Sequence, residues 1–211
     1  MTLPALCRLA RPAVLAAAAS LVPLAHAQEA RACACCAEPG QRIETTAPLE
    51  PYEKTELSRL RFDKTARLYL NAAGFDGVSG ISDPSEAYEV AVARQGDRWT
   101  FAFKDARGNA GTLAWSLPTT LEAFFVDPHD GQQSGAGGPL LFKEWRLTAP
   151  VSVAGVFALG AAGGPTVRLI LQGRGNACTS ADQFHAWTLV VSGPKARYTL
   201  YGTLAAPASA P

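Results

Sequence analysis

Residues 87–105 read AYEVAVARQGDRWTFAFKD. Tyr88, Val90 and Val92 alternate with Glu89, Ala91 and Ala93, the two-residue period of a strand with one buried face. After Gln95-Gly96-Asp97, Trp99, Phe101 and Phe103 alternate with Thr100, Ala102 and Lys104. Two alternating runs around a glycine-containing break predict a β-hairpin.

The same period extends in both directions. Upstream, RLRF places Leu60 and Phe62 in phase, and TARLYLN places Ala66, Leu68 and Leu70 in phase. Downstream come GTLAWSLP (Leu113, Trp115, Leu117), the less regular LEAFFVD, then LLFKEWRL and VSVAGVFAL. TVRLILQ, AWTLVVS and RYTLYGTL follow, and GPKA between the last two predicts a final hairpin. The breaks QQSGAGGP and GAAGGP are rich in glycine. No long run has helical periodicity. Many short, half-apolar strands predict an all-β, antiparallel fold, a barrel or alternatively a β-sandwich. Hairpin-linked, sequential strands favour the barrel. Trp99, Phe101, Phe103, Trp115 and Trp187 are the expected core, each worth about 2–3 kcal/mol when fully buried.

The amino-terminal region reads differently. Residues 1–27 combine Arg8 and Arg11, the apolar run AVLAAAASLVPL and a closing Ala25-His26-Ala27, the pattern of a secretory signal peptide. Cys7 would be lost with it, and the apolar run is short for a membrane span. Residues 28–56 hold prolines and polar residues without clear periodicity, and predict an irregular, cysteine-containing arm. Residues 57–205 form the single all-β domain, and residues 206–211 a disordered tail. Abundant alanine and a preference for arginine over lysine suit a bacterial chain, so the expected location is periplasmic or secreted. Either compartment permits disulfides.

The chain has 19 basic and 18 acidic residues, and removing Arg8 and Arg11 leaves 17 basic. Such a balanced surface predicts no nucleic-acid partner. No transmembrane anchor is expected after cleavage.

RACACCAEPG, residues 31–40, packs Cys33, Cys35 and Cys36 into four positions. Three neighbouring thiolates repel, so at neutral pH they stay protonated, oxidise or share a cation. Oxidation gives disulfides with Cys178 as the fourth partner. Pairing Cys178 with Cys35 leaves Cys33–Cys36, the least strained local ring, whereas the other two pairings leave a vicinal or a Cys-x-Cys bridge. A shared cation gives a soft-metal site, copper or zinc, with Cys178 or His185 completing the shell. A thioredoxin-like reading of Cys33 to Cys36 needs a following helix that CAEPGQR does not supply.

Smaller groupings read as structural. Cys178, Asp182 and His185 lie within ACTSADQFHAW, where a Cys–His enzyme is the weaker alternative to a bridged cysteine and a turn. VDPHDG, with Asp127, His129 and Asp130, reads as turn chemistry. QGRGN, residues 172–176, reads as a turn that reverses the chain. The expected role is therefore binding or accessory rather than catalytic. It would either handle a soft metal through the cysteines or bind a small apolar ligand or protein partner on the β-domain.

Overall fold

The computed structural model describes residues 40–132, 138–176 and 179–205. Eleven strands make one antiparallel sheet: β1 (Arg42–Pro48), β2 (Arg61–Leu68), β3 (Ala87–Gln95), β4 (Arg98–Lys104), β5 (Ala110–Ser116), β6 (Thr120–Val126), β7 (Leu141–Pro150), β8 (Ser152–Gly155), β9 (Thr166–Gly175), β10 (Phe184–Gly193) and β11 (Ala196–Ala205). Their order across the sheet is β1-β6-β7-β9-β10-β11-β2-β3-β4-β5-β8. The all-β antiparallel expectation holds. The closed barrel does not: among the described residues β1 and β8 are the sheet's edges, with no ladder joining them.

Nor are the strands hairpin-linked in simple succession, because consecutive strands do not always neighbour. Residues 117–119 link β5 to β6, yet β5 pairs with β8 and β6 pairs with β1 and β7. The chain steps there from one half of the sheet to the other instead of continuing a hairpin.

The sheet curls hard over its apolar face. Phe101 of β4 and Trp187 of β10 lie four strand steps apart in the ladder, about 19 Å on a flat sheet. Their rings are 5.8 Å apart, centre to centre. Phe101 also stacks on Trp115 at 4.9 Å, and Phe62 meets Phe101 edge-on at 4.9 Å. All five expected core aromatics are buried, joined by Trp145 and Phe157. Gly202 of β11 is required by this packing, because a β-carbon there would stand 2.7 Å from both the Thr65 carbonyl oxygen and the Trp187 ring.

The quoted hairpin is present as expected. Gln95 pairs with Arg98, and Gly96 takes φ +58° in the two-residue turn. The end of RLRF and the start of TARLYLN join in one strand, β2, while Arg59 ends α1 and Leu60 caps it. VSVAGVFAL yields only the short β8 and then a 3₁₀ turn at Ala158–Gly160.

Within the region 28–56, expected to be an irregular arm, the described residues from 42 onward are largely regular. Residues 42–48 are β1, and helix α1 (Pro51–Arg59) begins within it. Two threonines at Thr45 and Thr46 hide the alternation of β1, whose inward residues are only half-buried. Pro51 opens α1, a position where its missing N–H costs nothing. The Glu53 carboxylate accepts the Glu50 N–H at 2.9 Å in a capping box. Leu57 plugs the helix into the core. Among the described residues, no helix is long and apolar enough to cross a membrane.

Candidate functional site

Cys33, Cys35, Cys36 and Cys178 lie outside the described residues, as do the signal-peptide region, Cys7 and the tail at 206–211. His185 is the exposed extra residue of a β-bulge, since β10 pairs with β9 through Phe184 and Ala186 but skips it. Asp182 accepts a hydrogen bond from the Ser180 hydroxyl. Among the described residues, no group of three or more His, Asp or Glu side chains is placed to hold a metal ion.

VDPHDG is turn chemistry, as read. The Asp127 carboxylate accepts the His129 N–H at 2.8 Å, and His129 sits at φ +53°. Asp130 accepts Arg174 at 2.7 Å, and this pairing holds the Asp130 carboxyl below the usual carboxylate range.

QGRGN is not a turn. Gly173 and Gly175 end β9 on its inner face, and β-carbons at either position would overlap Gln183. The glycines thus admit residues 179–184 against the sheet. The Ala181 N–H in that segment donates to Glu56 of α1 at 2.8 Å.

Beneath this segment lies a group that sequence reading missed. Lys143 is fully buried on the inner face of β7, between Leu141 and Trp145. Its ammonium donates to Gln183 Oε1 at 2.8 Å and to the Ser180 carbonyl at 3.3 Å. It also stands 4.7 Å from the centre of the Phe184 ring, which packs on Trp145 at 5.0 Å. A buried ammonium is tolerable only with such partners. The signal was available: LLFKEWRL puts Lys143 in the inward phase. These bonds make Lys143 a clamp on the β9–β10 connection.

The outer face offers a recess open to ligands. Across β3, β4, β5 and β8, outward positions carry Ala91, Ala102, Ala110, Thr112 and Ala154. Side chains this small leave a trough of about 490 Å³, with Glu89 and Lys104 paired across the ladder at its border. Gly155 (φ +64°) closes it, where a β-carbon would strike the Ala110 carbonyl.

Comparisons with protein-family models, curated proteins and solved structures find no match.

Proposed function

We propose that the protein is an exported binding or accessory protein whose β-domain takes a small apolar ligand in the alanine-lined trough. The observation that carries this reading is the trough itself. The aromatics that suggested an internal pocket pack on one another instead, so the accessible apolar surface lies outside. The test is titration with an environment-sensitive apolar dye, comparing wild type with Ala102→Phe, which fills the floor from an exposed position. Saturable binding lost in the variant, at unchanged thermal stability, supports the reading. Equal binding by both proteins sinks it.

A second reading is favoured by the crowding of Cys33, Cys35 and Cys36. Here the arm holds copper or zinc, with Cys178 or His185 completing the shell and the β-domain as carrier. A native intact mass, taken without reductant, separates the cases. Extra mass of one metal, lost on acidification, supports a metal site. A mass lower by two hydrogens per bridge and nothing more assigns the cysteines to disulfides. The weaker enzymatic reading, thiol redox or a Cys178–His185 pair, predicts thiol reactivity that His185→Ala reduces.

A further inference from the structure

The Tyr69 N–H donates to the Thr199 carbonyl at 2.8 Å, one step beyond the β2–β11 ladder. Ser79 exchanges two backbone hydrogen bonds with Arg197, at 3.0 and 3.1 Å. Residues 70–78 therefore part from β11 at Thr199 and rejoin it at Arg197, on the same face of the same strand. A loop whose ends lie this close, packed by its own side chains, is an Ω-loop. Asn71 makes a backbone bridge to Gly74, and its Oδ1 accepts the Ala73 N–H at 2.9 Å. Gly77 lets the 3₁₀ turn Phe75–Gly77 close on that amide, because a β-carbon there would stand 2.7 Å from Asn71 Oδ1.

The loop walls a recess of about 560 Å³ over the outer face of β10 and β11. Val190 and Thr199, paired across the ladder, lie at its floor, with Tyr69, Asn71, Ser192 and Arg197 round them. Tyr69 is 60% exposed, so its ring is open to an occupant. Arg197 is the charged residue of the lining, and no carboxylate lines the recess; Asp76 belongs to the loop but not to the lining. Among the described residues the Arg197 guanidinium has no ion pair or hydrogen bond, and the Thr199 hydroxyl and the Asn71 NH2 have no partner either. Tyr69 and Arg197 are diagonal neighbours across β2 and β11, about 7–8 Å apart at the backbone. A ring laid on Tyr69 therefore brings an attached carboxylate within reach of Arg197.

We propose that this recess binds a sugar acid, a pyranose ring carrying a carboxylate. The carboxylate pairs with Arg197, whose planar guanidinium offers it parallel N–H donors. The apolar C–H face of the ring lies on Tyr69. The ring hydroxyls meet the Asn71 NH2, a donor, and the Thr199 hydroxyl, both donor and acceptor. These polar groups beside the aromatic ring suit a hydroxylated ring, where an aromatic acid would leave them unmatched. The recess shares no residue with the alanine trough, and the proposal does not depend on that site.

The probe is sodium glucuronate, titrated into the protein at low salt and followed by backbone amide chemical shifts. Saturable changes are expected at residues 69–79 and 190–199. Arg197→Gln should weaken binding at least about tenfold, from lost charge-assisted hydrogen bonds, with the unfolding midpoint unchanged because the side chain is exposed. Tyr69→Ala should weaken it as well, whereas Tyr69→Phe, which keeps the ring and the loop, should bind like wild type. Glucose, which lacks the carboxylate, and acetate, which lacks the ring, should each bind at least about tenfold more weakly. No saturation at tens of millimolar glucuronate, shifts confined to other residues, equal binding by Arg197→Gln, or benzoate binding as tightly as glucuronate overturns the proposal.

Discussion

The Lys143 ammonium meets the Gln183 side-chain oxygen at 2.8 Å, and Gln183 itself lies against Gly175. One buried cation, one amide and one missing side chain thereby fix the β9–β10 connection on the inner face of the sheet. Lys143→Met keeps the length and removes the donor. It leaves two acceptors without it, and stability should fall by about 1–3 kcal/mol in chemical denaturation. A gain in stability would show that burying the charge costs more than its bonds return.

Gly202 and Trp187 test the curl of the sheet. Gly202→Ala must displace either the Thr65 carbonyl or the Trp187 ring, both 2.7 Å from the new methyl. Overpacking of this kind costs about 1–3 kcal/mol. The expected outcome is a lower unfolding midpoint with altered tryptophan fluorescence. An unchanged midpoint would contradict the packing described.

Acid should destabilise the fold through Asp105 and Asp130. Burial pushes the Asp105 carboxyl up, but hydrogen bonds from Asn109 and Arg107 together outweigh it and hold it below the usual carboxylate range. Asp130 is lowered chiefly by Arg174. Both sit lower folded than unfolded, so their contribution is full above about pH 4 and is lost as pH falls through the folded values. Denaturation midpoints from neutral to acid pH should drop in that window, and less steeply in Asp105→Asn.

Arg94 covers the end of the aromatic core. Arg94→Met keeps the apolar stem and removes the contacts to Ser58, Leu60 and the Trp99 face. A loss of about 1–2 kcal/mol is expected from the hydrogen bonds and the cation–π contact. Thermal unfolding checks it, and a loss below about 0.3 kcal/mol would show that Arg94 is only a solvated rim residue.

The strands and core aromatics were legible because alternation states directly which side chains share a face. Trp99, Phe101, Phe103, Trp115 and Trp187 all pack where their phase puts them. Closure was not legible. A three-residue link such as 117–119 looks like a hairpin loop, and only long-range pairing shows that it crosses between halves of the sheet. β1 escaped because its threonines blur the period. Gly173 and Gly175 were misread because glycine serves both turns and close approach, and Gln183, the residue that approaches, comes only after the chain has doubled back from β9. On the site side, Asp127, His129 and Asp130 were read correctly as a turn. Lys143 was in view but passed over, since an inward lysine has meaning only beside Gln183 and Ser180.

The position of β11 has a consequence for how the molecule comes together. It is the last strand described along the chain, yet it sits mid-sheet between β10 and β2. Until residues 196–205 arrive, β1-β6-β7-β9-β10 and β2-β3-β4-β5-β8 share no ladder, although the chain links them through residues 49–60, 117–119, 151 and 156–165. β11 is the keystone. Removing it would break the ladder in its middle, between β10 and β2, instead of fraying an edge.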